Sequence, residues 1–153
     1  ITGKKSDNVF SNEHTERGIN QAPIARMLYE QQNFVDVKNG GFFDCGNYGA
    51  SPDGLIGEDG LVEIKSVISS THYATLKRGS FDPSYHWQLV GQLFCTGRNW
   101  VDFISYCADF PEYKKLLIYR SIREDFKDEF KSLEIRLSEF LSLIDKIERE
   151  LKS

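Results

Sequence analysis

Asp53, Glu63 and Lys65 are the residues whose types and spacing can do chemistry. Glu63 and Lys65 stand two apart in the apolar run Leu61-Val62-Glu63-Ile64-Lys65-Ser66. In a strand both side chains leave on one face, while Ile64 turns to the other and into a core. Asp53 lies in Ser51-Pro52-Asp53-Gly54, a turn or a strand end. The turn Gly57-Glu58-Asp59-Gly60 joins residues 50–56 to residues 61–66 as a hairpin and sets Asp53 across from Glu63. Two carboxylates and one lysine then converge on one spot.

Metal-assisted hydrolysis of a phosphodiester needs such a set. Mg²⁺ takes hard oxygen ligands at about 2.0–2.1 Å and keeps waters and phosphate oxygens in its other positions. Asp53 and Glu63 would supply two ligands and the carbonyl of Ile64 a third, with Mn²⁺ as a substitute metal. Lys65 can orient or deprotonate the attacking water, or balance the charge of the transition state. The triplet alone is weak, because a solvated strand face often reads Glu-apolar-Lys. It is sharpened by the Ser-Pro-Asp-Gly turn, by the flanking Leu61, Val62 and Ile64, and by a later helix on which Tyr85, Gln88 and Gln92 share a face.

Several elements must position these groups. Residues 16–32 read helical, with Ile24, Met27 and Leu28 at helical spacing. Pro23 interrupts that segment at a cost of roughly 3 kcal/mol, so either the helix starts there or a kink is tolerated. Phe34 to Val37, the turn Lys38-Asn39-Gly40-Gly41 and Phe42-Phe43 form a hairpin pattern. Residues 70–78 form a short helix closed by Gly79, and residues 83–95 a helix stopped by Thr96-Gly97. Residues 100–106 and 116–122 are strand-like. In the tail, residues 124–152, an apolar stripe of Phe126, Phe130, Leu133, Leu137, Phe140, Ile144, Ile147 and Leu151 predicts a helix docked on its own core, or else an oligomer or partner seam. The order implies a mixed α/β sheet flanked by helices.

The 153 residues suit a single domain spanning 1–153, and 40% hydrophobic with 13% aromatic content suffices for a core. The chain opens on Ile1 rather than Met, which reads as a processed or truncated start, and Ile1 to Lys5 is too polar for a secretory signal. No apolar run approaches the roughly 18 residues of a membrane span. Cys45, Cys95 and Cys107 form no Cys-x-x-Cys pair, which favours reduced thiols and a cytoplasmic protein. A net charge of −4 speaks mildly against nucleic acid, although a local groove can be basic on an acidic protein.

The stretches SPDGLIGEDGLVEIKS, THYATLKRG and YHWQLVGQL together resemble the lambda-exonuclease-like, or YqaJ-type, viral recombinase nucleases of the PD-(D/E)xK superfamily. The resemblance runs over residues 16–108, and the final helix fits it too. It implies a restriction-endonuclease-like core with a long C-terminal helix. By that likeness Asp53 and Glu63 are metal ligands, Ile64 gives its carbonyl, Lys65 is the catalytic lysine and Gln88 the active-site glutamine. Ser51 matches a position near the 5′-phosphate of a DNA end. The implied activity is a Mg²⁺-dependent deoxyribonuclease, a 5′–3′ exonuclease on linear double-stranded DNA. The implied setting is phage or prophage recombination in a bacterial host, with a single-strand-annealing recombinase as partner and a ring-shaped homo-oligomer, a trimer, threading the duplex.

Two departures qualify the likeness. Where the family carries a Gly-x-x-x-Glu-Pro-x-Ala helix, this chain has Gly18-Ile19-Asn20-Gln21-Ala22-Pro23-Ile24-Ala25, so Ala22 stands in the glutamate position. Alanine cannot hold a metal. Natural loss and a deliberate Glu→Ala substitution both account for it, and the intact remainder of the site favours the second. Glu16 and Glu30 are possible stand-ins, each more than one helical turn away. Beyond Lys65, Ser69-Ser70-Thr71-His72 replaces the stretch that carries a phosphate-binding arginine, and the first helical segment expected upstream is mostly missing. Rival functions are a DNA-binding module without catalysis and a structure-selective endonuclease on the same fold. His72, Lys77 and Arg78 are candidate DNA contacts against the alternative of inert surface groups, and His86 is read the same way. Trp87 and Trp100 are read as core or interface, and Lys4 and Lys5 as DNA contacts or a loose terminus.

Overall fold

Strand β5 (Gly60–Ser66) carries the carboxylate–lysine pair and lies mid-sheet because Leu61 and Val62 are apolar on both faces and fully buried. It pairs antiparallel with β4 (Gly54–Ile56) on one side and parallel with β6 (Trp100–Tyr106) on the other. β7 (Leu116–Ile122) runs antiparallel to β6, and β1 (Lys38–Asn39) closes the β4 edge, so the order is β1-β4-β5-β6-β7. A computed structural model describes residues 2–46 and 49–152, with side chains from residue 16 onward. The side chains of Lys4 and Lys5 lie outside the described residues.

A parallel β5–β6 step needs a crossover, and helices supply it. α2 (Ser69–Arg78) ends at Gly79 with φ 73°, and α3 (His86–Thr96) ends at Gly97 with φ 72°. Both glycines adopt the left-handed conformation that closes a helix and bond back to the last turn, as the sequence predicts. α1 (Thr2–Asn33) packs Ala25 and Tyr29 on one sheet face, against Val37, Val62, Ile104, Tyr106 and Leu116. α3 and the start of α4 (Lys127–Lys152) cover the other face through Leu89, Val90, Leu93 and Phe130 against Leu61, Val101 and Phe103. The mixed α/β sheet flanked by helices is therefore the observed architecture.

α1 runs unbroken through Pro23, so the proline neither starts nor ends a helix. The fully buried Ala25 and Tyr29 that follow hold the helix to the sheet and offset the lost hydrogen bond. The hairpin expected from Phe34 to Phe43 does not form. β1 pairs instead with β4, while β2 (Phe43–Asp44) pairs with β3 (Gly49–Ala50) in a separate small sheet. Long-range packing overrides the local turn: a Cβ on Gly40 would sit 1.8 Å from the Pro52 carbonyl oxygen, so the turn glycine serves a close approach to the Ser-Pro-Asp-Gly segment.

Cysteines also depart from expectation. Cys45 and Cys95, 50 residues apart, form a disulfide that ties the β2–β3 sheet to the end of α3, and Cys107 is the buried free thiol. The tail stripe docks only at its start. Phe126 and Phe130 are buried and Leu133 packs beside them, whereas Phe140, Ile147 and Leu151 are exposed.

His72 is fully buried and cannot touch DNA. Its Nε2–H donates to the Lys114 carbonyl at 2.7 Å, which leaves Nδ1 to accept from the Ser105 hydroxyl at 2.8 Å. The ring also packs edge-on to Phe110. His72→Ala removes this packing and strands two polar partners, so urea titration should show a loss of about 2–4 kcal/mol. A loss below about 0.5 kcal/mol, the usual effect of a surface change, would show that His72 is not a core strut.

Candidate active site

Pairing of β4 with β5 stops at Gly54 and Val62, and the site is built where it stops. The Asp53 N–H donates to the Val62 carbonyl at 3.1 Å, which fixes the backbone of the Ser-Pro-Asp-Gly turn. Its Oδ2 then accepts from the Ile64 N–H at 2.7 Å, so the side chain takes the place of the next strand residue. A strand residue sends its N–H and C=O to the same edge. The Ile64 carbonyl therefore leaves β5 on the side of the Asp53 carboxylate.

Glu63 points to the α3 face and is 4% exposed. Gln88 Nε2 donates to its Oε1 at 3.1 Å, and Gln92 Nε2 to its Oε2 at 2.7 Å. Lys65 Nζ lies 3.1 Å from Glu63 Oε1 and 5.0 Å from the centre of the Tyr85 ring. Each carboxylate oxygen of Glu63 thus has a donor, and the lysine is held between a charge and an aromatic face. The sequence sets Gln92 on the same helix face as Gln88 without assigning it a role, and the structure gives it one as a second donor to Glu63. The other end of its amide, Oε1, is buried without a partner among the described residues. That unsatisfied acceptor is the cost of aiming the amide at Glu63.

Two clefts border this edge. One, of about 470 Å³, is lined by Ala22, Pro23, Arg26 and Glu30 of α1 together with Asp53 and Ile64. The other, of about 350 Å³, is lined by Ser51, Trp87, Gln88 and Gln92 with their neighbours. Trp87 is accordingly a cleft residue, 53% exposed, rather than core. Trp100 is a packing residue, with the Arg120 guanidinium stacked 3.7 Å from its ring centre. Glu30 reaches the first cleft, but its Oε2 accepts from the Val37 N–H at 2.9 Å, and Glu16 does not line it. Lys77 lies over the Tyr73 ring and Arg78 sits 4.0 Å from Asp82, and neither lines either cleft. His86 packs against Phe126 and lies 3.7 Å from Glu129, which ties α3 to α4.

A family model, the YqaJ-like viral recombinase domain, matches residues 1–99. The chain belongs to that family. Two crystal structures of the alkaline exonuclease LHK-Exo from Laribacter hongkongensis, one in complex with dAMP, are 34% identical to this YqaJ-like chain, with TM-scores of 0.71 and 0.72. Each match covers 90% of this chain and 73% of the relative. A phage-related exonuclease from Haemophilus somnus 129PT, at 11% identity, shares the fold with a TM-score of 0.61 over 77% of this chain and 66% of its own. No curated protein sequence matches the chain. The shared fold is restriction-endonuclease-like, as the sequence resemblance implies.

Burial raises the Glu63 pKa above the usual carboxylate range, and the neighbouring Asp53 charge raises it further, against the opposing pull of Gln92 and Lys65. A carboxyl group with a raised folded pKa binds its proton more tightly in the native state. Stability then falls as pH climbs from the unfolded pKa through the folded one. Glu63→Gln removes the ionisation and keeps an amide between the two glutamines. Near pH 7.5 it should raise the melting temperature of this YqaJ-like domain, by about 2–4 °C for each kcal/mol released. The gain should shrink as the pH falls through the raised folded pKa and be gone below 4.5, the ordinary glutamate value, where Glu63 is protonated in both states. A variant that melts lower than its parent at pH 7.5 would show that the ionised carboxylate stabilises the fold.

Proposed function

We propose that this chain is a metal-dependent deoxyribonuclease domain, acting as a 5′–3′ exonuclease on linear double-stranded DNA, with its hydrolysis crippled at Ala22. The observation that carries this reading is the convergence of Asp53, Glu63 and Lys65 on the open edge of β5, beside a cleft that residue 22 also lines. Family membership and the exonuclease name of the 34%-identical relative support it. The dAMP held by one relative is a deoxynucleoside monophosphate, the kind of product an exonuclease releases.

The donor set fits a hard divalent cation. Two carboxylates and a strand-edge carbonyl are oxygen ligands of the kind Mg²⁺ takes, and Mn²⁺ accepts the same set. Burial and then the neighbouring Asp53 charge raise the Glu63 pKa, and a cation would relieve the repulsion between the two carboxylates. Asp53, Glu63 and the Ile64 carbonyl would hold it. Among the described residues no group of three or more histidine, cysteine, aspartate or glutamate side chains is placed to hold a metal ion. A cation held there supplies Lewis-acid polarisation of the phosphodiester and acidifies water at neutral pH.

The chain's own groups do the remaining work. Lys65, 3.1 Å from the Glu63 carboxylate, orients the water or balances the added negative charge at phosphorus. Gln88 and Gln92 hold the Glu63 carboxylate with one donor on each oxygen. Ser51, which lines the second cleft with Gln88, contacts the 5′-phosphate of the end in this reading. The exposed Lys77 and Arg78 are peripheral DNA contacts in this reading. No helix among the described residues is long and apolar enough to cross a membrane. The setting we infer is a bacterial host, where such an enzyme leaves single strands for an annealing recombinase and a trimeric ring retains the duplex. The missing carboxylate also favours a second reading, a DNA-binding module without catalysis.

Restoring the third carboxylate separates the two. Ala22→Glu should raise Mg²⁺-dependent degradation of 5′-phosphorylated linear duplex by at least about 10²-fold, in the range lost when one metal-site group is removed. A covalently closed circle should remain intact. If the glutamate form cuts nothing, the non-catalytic module is the better description. Nicking of the circle would instead favour a structure-selective endonuclease.

A further inference from the structure

Ala22, Arg26 and Glu30 follow one another at four-residue steps on α1 and line one cleft with Asp53 and Ile64. Among the described residues lining that wall, Arg26 is the only cation. Its Nη1 donates to Asn39 Oδ1 at 2.9 Å, and Asn39 lies opposite Gly54, the residue after Asp53. The guanidinium is thus tied to the strand end that carries the candidate metal ligand. Among the described residues Arg26 forms no ion pair. The Glu30 carboxylate one turn on accepts from the Val37 N–H instead.

Lys65 cannot serve this wall. It projects on the opposite sheet face, with its charge engaged by Glu63 at 3.1 Å. A polyanion crossing the Asp53 edge would meet two carboxylates and, among the described residues that line the α1 side of this cleft, Arg26 alone to neutralise a phosphate. The guanidinium has five donors in a planar fork and spends one of them on Asn39, so a bidentate face remains for phosphate oxygens. Anchoring by Asn39 also lowers the rotamer entropy lost on binding.

From this geometry we infer that Arg26 is a phosphate clamp for the DNA strand. It holds a backbone phosphate next to the one at Asp53 and Glu63, on the opposite wall from Lys65, with Asn39 as its positioning residue. This rests on the nuclease reading of the same site. It does not depend on turnover, because an Ala22 chain can bind without cutting.

Fluorescence anisotropy tests it with the full chain, a 5′-phosphorylated labelled duplex and Mg²⁺, over a series of salt concentrations. Arg26→Gln should weaken binding about tenfold near 0.1 M salt, since a charge-assisted hydrogen bond is lost. It should also flatten the slope of log affinity against log salt by about 0.9, the value for one phosphate contact on B-DNA. Arg26→Lys keeps the charge and should preserve the slope while binding about threefold more weakly, because the fork is gone. Asn39→Ala should weaken binding with the slope unchanged. Parent-like affinity and slope in Arg26→Gln overturn the clamp, and so does a lost slope in a folded Arg26→Lys. If the parent chain itself shows no salt-dependent affinity for the duplex, the nuclease reading falls and the clamp with it.

Discussion

The bond from the Ile64 N–H to the Asp53 carboxylate is the constraint on which the rest of the site depends. It does what the next pair of a β-ladder would otherwise do, because β4 ends one residue away at Gly54. A side-chain oxygen replaces a backbone carbonyl, so an acidic group is fixed at strand precision without spending a strand. The same substitution frees the β5 edge beyond Val62 and leaves the Ile64 carbonyl facing the carboxylate. Close approach of Gly40 to the Pro52 carbonyl and pairing of β1 with β4 hold the turn from outside. A larger residue at position 40 would push that turn away and take Asp53 with it.

Glu63 shows what such a site costs. A carboxylate that is nearly inaccessible to water, with a second one beside it, is unfavourable as an anion. The α3 glutamines and Lys65 return part of that energy as donors, and one of those glutamines leaves its own Oε1 unsatisfied to do so. A core designed for stability alone would place an apolar residue at position 63, in the middle of β5. Keeping a half-satisfied polar cluster there fits a site whose missing partner is a cation or a phosphate, and this distribution of strain is common at functional sites.

Legibility from the sequence followed the range of the interactions. β5, β6, β7, the helix closed by Gly79 and the helix stopped at Gly97 were legible because their apolar period and their glycine stops are local. So was the Asp53, Glu63, Lys65 and Gln88 set, since a two-residue strand spacing and a hairpin turn are enough to bring three of its members together. What failed was non-local. The turn residues Lys38 to Gly41 look like a hairpin, but Pro52 and Gly54, more than ten residues later, claim that segment. Nothing in their spacing pairs Cys45 with Cys95, because only the packing of the small β2–β3 sheet on α3 brings them together. His72 reads as a polar helix start and turns out to be a strut, because Ser105 and the Lys114 carbonyl wait for it across the crossover.

The alanine at position 22 is compatible with an undisturbed fold for a reason that lies elsewhere on the same helix. α1 is anchored by Ala25 and Tyr29, which are 0% and 1% exposed. It is anchored also by the Tyr29 hydroxyl on Asp102, a carboxylate that Arg120 grips through two nitrogens at 2.7 and 2.9 Å. Removal of one partner from that buried network would be costly. Residue 22 is outside it, half-buried on the cleft. A glutamate there would add a third negative charge beside Asp53 and Glu63, so its absence relieves repulsion while the anchors stay in place. The chemistry of the site and the stability of the helix that carries it are therefore separable. For that reason a chain lacking one carboxylate can keep the strand edge, the glutamine pins and the Arg26 wall in position.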